Sequence, residues 1–545
     1  MFLSPPYWDV YSPFSAVPCL VGKLMQEGYK CCQYDIGILC IHTLLENNWD
    51  QGLKHISSQN FYEKHIKYYR KNCYKNYEDY LSGISFMSEG YKMISKIKNN
   101  YINYNAVQKR VLDAFYNYIY STDTLDIDFD NCENIEQLIR LSDIENLVRT
   151  LKKESLSEIF ENIPSVVGIS ITSTYQFVPG CVIAKVIKHC FPNVKIIMGG
   201  SCADLFVKSL YGPKKDINKY FDYIIVGEGE TAIVQLMKCF EGKIEIDKVP
   251  NILSWDMDGQ PVVTKQIIED VNLLPTPCYD GLDLELYLAP RLIIPYQTSR
   301  GCHYGYCAFC NHDEKYRHNY RAKDIKNVIG DLLSLSKKYN TNYFQFVDEA
   351  IRPDCFEMMV EEMDKYPEFK KMKWIYYSRV SRQYKKETLE KARNNGCEMV
   401  MFGVETLNQR LLKFIKKGIL AETSKYCLKL FHDAGIKTYA WLMCNLPSET
   451  VEEAKQDLRD VMELEKYIDA FYVGPFALSK NTDMYENLEK YNITKVCEKN
   501  ALRFESHNDG QIIDKDEMLK FYRCNYAKYQ LEYCSTANRY TVFFE

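Results

Sequence analysis

The sequence predicts an α/β protein built from two parallel sheets and a small C-terminal region. Short β-branched runs alternate with segments of helical periodicity over most of the chain, which is the pattern of βα units. Its 545 residues are enough for two or three domains. A hydrophobic fraction of 46% and a charged fraction of 26% are typical of a globular chain and exclude a mainly disordered or collagen-like one.

Five compact apolar runs predict the first sheet. They are Phe2–Ser4, Cys31–Ile38, Val166–Thr172, Lys195–Gly199 and Tyr223–Val226. A helix predicted from Phe14 to Glu27 follows the first run. Five strands are typical of a flavodoxin-like, Rossmann-type parallel sheet, so we expect this domain to cover residues 1–245. Residues 40–160 have a mostly helical pattern and are predicted to form a helical insertion in it.

A second set of βα units follows a predicted hairpin and extended linker at residues 246–290. Its strands are predicted near 292–298, 343–347, 374–380, 399–404, 437–443 and 471–476. Six units over residues 291–484 indicate a partial (β/α)6 TIM-like barrel, and functional residues are expected on loops after its strands. The C-terminal region 485–545 carries no motif that predicts a role.

Three cysteines within nine residues form the sharpest chemical pattern in the sequence. Cys302, Cys307 and Cys310 lie on the loop after the first predicted barrel strand. Thiolates are the usual ligands of iron–sulfur clusters, and three of them can hold three irons of a cubane while the fourth iron stays open. The pattern therefore predicts a metal site with an open coordination position.

Three other interpretations of these cysteines stay open. A zinc site could use His303 or His312 as its fourth ligand. A ferredoxin-type cluster has the same spacing between its first three cysteines, but the next thiol here is Cys355, beyond a predicted helix and strand. The three could also be structural thiols of a core, although core cysteines do not usually cluster in a Gly-containing loop.

The segment Ser299–Cys302 resembles the phrase that opens the barrel of radical S-adenosylmethionine enzymes, specifically those with an N-terminal cobalamin-binding domain. The resemblance implies that Cys302, Cys307 and Cys310 ligate a 4Fe-4S cluster, whose unique iron chelates S-adenosylmethionine. Four residues separate Cys302 from Cys307, whereas the family usually has three. We expect Gly305 to accommodate the extra residue as a bulge.

Segments after the later strands resemble cofactor-binding segments of the same family. The resemblance implies that Asp348 and Glu349 lie near the methionine amino group; the alternative is an ordinary solvated strand end. It implies a cofactor contact for Ser378 and Arg379, in which the basic residue reaches the carboxylate or ribose, and a contact of Glu405 with the nucleoside or its amino group.

A phrase late in the barrel extends the resemblance. Residues 443–450 are similar to the family's Gly-Leu-Pro-Gly-Glu-Thr, with Asn445 and Ser448 in place of the two glycines. The resemblance implies that Asn445 and Leu446 contact the cofactor. It also implies that Phe309, beside the cysteines, packs against adenine.

Small residues follow three strands of the first sheet and predict a cofactor cradle at its edge, because glycines and small hydroxyls let a bulky group approach the backbone. The residues predicted to form the cradle, large and small, are Thr172, Ser173, Tyr175, Gly199, Gly200, Ser201, Gly227, Glu228 and Gly229. The resemblance implies that this cradle binds cobalamin; an ordinary nucleotide-like crevice is the alternative. No histidine lies in an Asp-x-His-x-x-Gly phrase, so cobalt is expected without a histidine ligand, with Tyr175 or a neighbour below it.

The resemblance implies an enzyme that cleaves S-adenosylmethionine reductively to a 5'-deoxyadenosyl radical and uses cobalamin to methylate an unactivated carbon of a natural product or peptide. Two alternatives remain. An enzyme of the same fold could catalyse a radical rearrangement or cyclisation without methylation, or the chain could be an iron–sulfur or cobalamin-binding sensor or electron carrier.

The expected partners are a small-molecule or peptide substrate and an external electron donor of the flavodoxin or ferredoxin type. The net charge of -5 gives no reason to expect nucleic acid, and no run of 18 apolar residues predicts a membrane span. The 21 cysteines occur without a secretory signal, so we expect reduced thiols and a cytoplasmic location.

Overall fold

The computed structural model describes residues 1–6, 11–40, 164–173, 176–203, 217–287, 289, 291–310, 319–479, 481–496, 504–508 and 511–512, together with 59, 77–78, 81 and 159. The chain divides into two compact units, residues 1–269 with 274–292 and residues 270–273 with 293–545. The predicted insertion at 40–160 lies almost wholly outside the described residues.

The first unit contains a seven-stranded sheet covered by helices. Its strands are β1 Phe2–Ser4, β2 Gln33–Asp35, β3 Val166–Ser170, β4 Lys195–Gly199, β5 Tyr223–Ile225, β6 Ile252–Trp255 and β7 Pro261–Val263. Its helices are α1 Ala16–Gln26, α2 Phe177–Cys190 and α3 Glu230–Phe240. The strand order is β2-β1-β3-β4-β5-β6-β7, and the first five strands are parallel. The order of these five is that of a flavodoxin-like sheet, as predicted.

The sheet is wider than predicted because the hairpin joins its edge. Strand β6 pairs antiparallel with β5, and β7 pairs antiparallel with β6. The Asp256 side chain closes the turn between β6 and β7 by accepting hydrogen bonds from the backbone N–H groups of Asp258 and Gln260. This Asx turn sends the chain back along the sheet, so the hairpin extends the sheet before the chain continues.

The second unit contains the six-stranded parallel sheet of a partial barrel. The described strands of the whole unit are β8 Ile293–Tyr296, β9 Ser299–Arg300, β10 Arg321–Ala322, β11 Tyr343–Phe346, β12 Lys373–Ser378, β13 Cys397–Glu405, β14 Lys437–Cys444, β15 Ala470–Pro475, β16 Ile493–Val496, β17 Phe504–Asn508 and β18 Gln511–Ile512. The barrel sheet has the order β15-β14-β13-β12-β11-β8, which confirms the six predicted strands. Strands β9 and β10 form a small antiparallel ribbon, and β16-β17-β18 a separate antiparallel sheet.

Helices cover one face of the barrel sheet. They are α4 Ile325–Tyr339, α5 Pro353–Met363, α6 Lys386–Asn394, α7 Gln409–Phe414, α8 Ala421–Asp433 and α9 Val451–Glu463, followed by α10 Asp483–Glu486. Tyr376 of β12 stacks on Phe356 of α5, and Phe402 of β13 contacts Phe431 of α8, each pair with ring centroids 5.0 Å apart. Because side chains alternate along a strand, Tyr377 and its neighbours at every second position face the opposite, concave side.

Short 3₁₀ helices complete the described elements. They are Ile217–Lys219, Ile246–Lys248, Val271–Leu273, Leu284–Leu286, Pro367–Lys371, Glu465–Tyr467 and Glu489–Tyr491. Within the described part of the chain, none of the helices has the length and apolar character that a membrane span requires.

Candidate active site

The three cysteines lie on the loop of residues 297–310, which we call the cluster loop. Gly301 and Gly305 turn the loop with φ angles of +86° and +74°, a backbone region that glycine enters without strain. The left-handed turn at Gly305 accommodates the extra residue between the first two cysteines. Cys307 is buried, whereas Cys302 and Cys310 are half-buried, and none of the three is in a disulfide.

Backbone bonds to the barrel hold the far end of the cluster loop. The Ala308 N–H donates to the Ile415 carbonyl at 2.9 Å, and the Ala308 carbonyl accepts from the Met484 N–H at 3.0 Å. Next to it, Phe309 packs on the apolar cluster that includes Leu446. Both of these sequence-predicted residues thus lie in one apolar environment beside the cysteines.

The donor set of the loop fits a cubane better than a single ion. In the described ranges, no three His, Cys, Asp or Glu side chains converge on a position for one metal ion, and His312 lies outside those ranges. A cubane does not require such convergence, because each cysteine binds a different iron. The Arg379 Nη1 lies 3.4 Å from the Cys307 Sγ and provides the positive charge that suits an anionic iron–sulfur site.

Asp348 holds the start of the cluster loop against the end of β11. Its carboxylate accepts hydrogen bonds from the Thr298 N–H at 3.2 Å, the Thr298 hydroxyl at 2.8 Å and the Ser299 hydroxyl. Burial raises the pKa of Asp348 to about 6, against the lowering effect of these bonds. The neighbouring Glu349 is exposed and accepts from the Gly301 N–H at 3.2 Å. Both carboxylates therefore position the loop.

Arg379 links three parts of the site at the end of β12. Its guanidinium lies 4.0 Å from the centroid of the Tyr304 ring and donates to the Lys417 carbonyl oxygen, besides the contact with Cys307. Ser378 points the other way: its hydroxyl is buried, donates to the Ile351 carbonyl and pairs with the Tyr384 hydroxyl. The Ser378 hydroxyl thus lies on the helix side, because strand alternation turns it away from Arg379, and its cofactor contact stays a prediction.

A buried ion pair lies at the end of β13. The Lys417 Nζ is 2.6 Å from the Glu405 Oε1, and both side chains are almost fully buried. Pairing of β13 with β14 is irregular between Gly403 and Glu405, where Glu405 takes a φ of +67°. A Cβ at Gly403 would lie 2.8 Å from the Glu405 Oε1 and 2.9 Å from the Lys417 Nζ, so the pair needs a glycine there. Lys417 belongs to the segment after β13 that resembles the family's fourth-strand segment, but its pairing with Glu405 was not predicted from the sequence.

The backbone after β14 keeps the shape of the glycine phrase that it resembles. Asn445 and Ser448 have φ angles of +61° and +58°, the left-handed region that glycine favours. The Asn445 side chain is fully buried, and neither its Nδ2 nor its Oδ1 has a hydrogen-bond partner among the described residues. A buried amide without partners is costly, and its donor and acceptor match an edge of adenine. This orphaned amide fits S-adenosylmethionine.

Gln176 joins two loops at the edge of the first sheet. Its buried Oε1 accepts from the Thr172 N–H and hydroxyl, each at 2.8 Å, and from the Ser173 N–H at 3.2 Å. Its Nε2 donates to the Pro5 carbonyl at 2.8 Å, so one side chain ties the loop after β3 to the loop after β1. Gln176 was missed by sequence analysis, and Tyr175 lies outside the described residues.

The loop after β4 approaches the loop after β3 closely. Gly200 has a φ of +102°, and a Cβ there would lie 2.3 Å from the Ile171 carbonyl oxygen, so another residue would clash. The Ser201 hydroxyl donates to the Thr172 carbonyl at 2.9 Å. With Gly199 at the end of β4, these residues form the small-residue rim that the sequence predicts.

The loop after β5 differs from the prediction at its acidic residue. Gly227, with a φ of +92°, and Gly229, before α3, leave the backbone accessible. The Glu228 carboxylate is buried and accepts from the Glu269 N–H, while the Glu228 carbonyl accepts from the Asn251 side chain at 2.7 Å. The Glu228 carboxylate thus holds the chain after β7, and its cofactor contact stays a prediction.

Comparison with known proteins places this geometry in a family. Residues 296–461 match the model of the Radical SAM superfamily. The barrel unit therefore contains a radical SAM domain. Such a domain implies a 4Fe-4S cluster and S-adenosylmethionine, together with a reductant and a substrate.

Similarity to individual proteins extends over both units. An uncharacterized methyltransferase of Pyrococcus horikoshii is 24% identical over 365 residues, 64% of this chain and 77% of that protein. An anaerobic magnesium-protoporphyrin IX monomethyl ester cyclase of Cereibacter sphaeroides is 27% identical over 53% of this chain and 48% of its own length, so the chain spans about half of that relative. The structure of the radical SAM methyltransferase TsrM from Kitasatospora setae, with cobalamin and a 4Fe-4S cluster bound, has a TM-score of 0.54 and 13% identity over 89% of this chain and 76% of that one. This likeness confirms the predicted α/β fold.

Proposed function

We propose that the chain is a cobalamin-dependent radical S-adenosylmethionine enzyme that methylates an unactivated carbon of a natural product or peptide. The observation that carries the proposal is one chain with both a radical SAM domain and a parallel sheet in flavodoxin-like strand order. The fold shared with cobalamin-bound TsrM supports the cobalamin site, and the Pyrococcus horikoshii relative named as a methyltransferase supports methyl transfer.

Different residues of the barrel would bind the cluster and S-adenosylmethionine. Cys302, Cys307 and Cys310 would hold three irons of the cluster. Arg379 would bind the carboxylate of S-adenosylmethionine, because it is a cation held beside Cys307 at the end of β12. The Asn445 amide would bind its adenine. When bound, these cofactors supply radical hydrogen abstraction, and cobalamin supplies a methyl group.

The first sheet would hold cobalamin against a rim without bulky side chains. Gln176 fixes the loops after β1 and β3, so that Thr172 and Ser173 keep one geometry. Gly200 lets the loops after β3 and β4 come together. The proposal includes an electron donor of the flavodoxin or ferredoxin type and a reducing, cytoplasmic compartment, which agrees with the free thiols among the described cysteines.

The test is anaerobic reconstitution with iron, sulfide and hydroxocobalamin, followed by reduction with dithionite in the presence of S-adenosylmethionine. We expect 5'-deoxyadenosine, and also S-adenosylhomocysteine, since removal of the methyl group leaves that product. Replacing Cys302, Cys307 and Cys310 with alanine should abolish 5'-deoxyadenosine and leave cobalamin uptake largely intact. A control variant with alanine at Cys19, Cys190 and Cys239 should keep both the formation of 5'-deoxyadenosine and the uptake of cobalamin.

A second candidate is a non-methylating radical rearrangement or cyclisation, which the similarity to the Cereibacter sphaeroides cyclase favours. It predicts 5'-deoxyadenosine without S-adenosylhomocysteine and a product that lacks the added mass of one methylene, about 14 Da. Cleavage of S-adenosylmethionine that persists in the triple cysteine variant would contradict both candidates.

A further inference from the structure

Three aromatic rings line the concave face of the last two barrel strands. Trp441 of β14 lies with its ring centroid 5.1 Å from that of Tyr439 and 5.4 Å from that of Tyr472 on β15. Trp441 is directly paired with Tyr472 in the parallel register. We call Tyr439, Trp441 and Tyr472 the aromatic wall; Tyr439 is fully buried and supports the two half-buried rings of Trp441 and Tyr472, which offer the exposed surface.

The side of the sheet follows from contacts on the neighbouring strand. Phe402 of β13 contacts α8, so Gly403 belongs to the concave face. Gly403 pairs with Trp441, which therefore points the same way. The wall is thus on the side away from the helices, where it adjoins the ion pair of Glu405 and Lys417.

The indole of Trp441 has an unused hydrogen-bond donor. Its Nε1 is buried and has no acceptor within the described part of the chain, although the ring as a whole is only half-buried. A buried tryptophan usually finds an acceptor for its N–H, because an unpaired donor costs free energy. Another tryptophan of the same sheet follows that rule: the Trp374 Nε1, on the helix side, donates to the Asn395 carbonyl at 2.8 Å.

Two glycines lie next to members of the aromatic wall. Gly403 lies beside Trp441 on β13, and Gly474 lies two residues beyond Tyr472 on β15. Both are half-buried, and neither brings a side chain over the wall. A Cβ at Gly474 would lie 2.9 Å from the Tyr472 ring, so the ring already occupies the space that a larger residue would need.

From these observations we propose that the aromatic wall binds the substrate, and that the substrate carries a planar unsaturated ring with an acceptor atom for the Trp441 indole N–H. The rings of the wall are inclined to one another, by 42° between Tyr439 and Trp441 and by 61° between Trp441 and Tyr472, and aromatic surfaces of this kind favour a flat, polarizable group over an aliphatic one. The free donor adds a requirement for a carbonyl oxygen or a pyridine-type nitrogen at the ring edge. The inference rests on the proposed function, since it takes the concave face as the substrate side of the enzyme.

The test uses three small probes on the full chain: quinoline, naphthalene and cyclohexanol, titrated by saturation-transfer difference NMR. Quinoline and naphthalene share size and shape, but only quinoline has an acceptor nitrogen. We expect quinoline to bind about fivefold more tightly than naphthalene, the ratio that one hydrogen bond contributes, and cyclohexanol to bind most weakly. Trp441→Phe should remove the preference for quinoline, and Trp374→Phe should keep it. Tyr472→Leu should weaken both aromatic probes.

Urea unfolding distinguishes a tryptophan that binds a ligand from one that only packs in the core. Trp374→Phe removes a satisfied hydrogen bond and should lower the midpoint of urea unfolding, whereas Trp441→Phe removes an orphaned donor and should leave it unchanged or raise it. Equal affinity of the three probes, or destabilisation by Trp441→Phe as large as that by Trp374→Phe, would overturn the inference. Probe binding requires no cluster, so this failure is distinct from failure of the proposed function, which appears as missing 5'-deoxyadenosine.

Discussion

Replacing Asn445 with glycine should have opposite effects on the free protein and on its complex. In the free protein, both amide atoms are buried without partners, and each such group costs about 1–3 kcal/mol. The residue also holds a φ of +61°, which glycine adopts more easily. Asn445→Gly should therefore raise the free energy of unfolding by about 1–3 kcal/mol.

Binding of S-adenosylmethionine should respond in the other direction. If the amide bonds to adenine, its loss removes about 1–3 kcal/mol of binding free energy, which raises the dissociation constant roughly five- to 150-fold. Urea unfolding of the ligand-free protein gives the stability, and anaerobic equilibrium dialysis with labelled S-adenosylmethionine gives the affinity of the cluster-reconstituted protein.

Ser448→Gly is the matched control, because Ser448 has nearly the same backbone angle but a bonded hydroxyl. That hydroxyl accepts from the Arg410 Nη1 at 3.2 Å. The control variant should lose a little stability and keep its affinity for S-adenosylmethionine. The reasoning is refuted if Asn445→Gly binds the cofactor as the original protein does, or if it is the less stable of the two variants.

Three further predictions follow from buried groups. Gln176→Leu should weaken hydroxocobalamin binding about tenfold or more by spectrophotometric titration, because two loops lose their shared hydrogen bonds, whereas Gln176→Glu, which keeps the acceptor, should lose less. Lys417→Met should lower the free energy of unfolding by about 3–5 kcal/mol, since it leaves Glu405 buried and unpaired, and the double variant with Glu405→Gln should recover most of this loss. Burial raises the pKa of Asp457 to about 6, so the folded state holds this proton more tightly than the unfolded chain, and the resulting stabilisation is complete below about pH 4 and lost as the pH rises through 6. Asp457→Asn should reduce the fall in urea stability between pH 4 and 7 by about 3 kcal/mol; an unchanged slope would contradict the assignment.

The parallel strands could be predicted because their side chains are buried on both faces. Val166–Ser170 and Lys195–Gly199 are short apolar runs that a parallel sheet requires, and the structure places them side by side. The sequence did not predict that the hairpin of β6 and β7 joins the same sheet. Strand β7 is exposed along its length, so its residues resemble a linker.

The candidate site was predictable where local pattern sets the chemistry and not where distant bonds do. The cysteine spacing and the left-handed positions of Asn445 and Ser448 are visible in a short phrase. Gln176 was missed because its partner at Pro5 lies 171 residues away, which only the folded sheet brings near. The orientation of Ser378 was not predictable, because a hydroxyl at a strand end gives no sign of the face on which it will lie.

Because the pairing of β13 with β14 is irregular, the number of residues at the end of β13 determines the direction of the Glu405 side chain as much as their types do. Glu405 lies opposite Leu442 instead of the next concave position, so Val404 is passed over in the ladder. Deletion of Val404 would restore even pairing and rotate the carboxylate of Glu405 away from Lys417, although Glu405 and Lys417 would both still be in the chain. The length of this strand, and not only its composition, therefore decides whether the buried ion pair at its end can form.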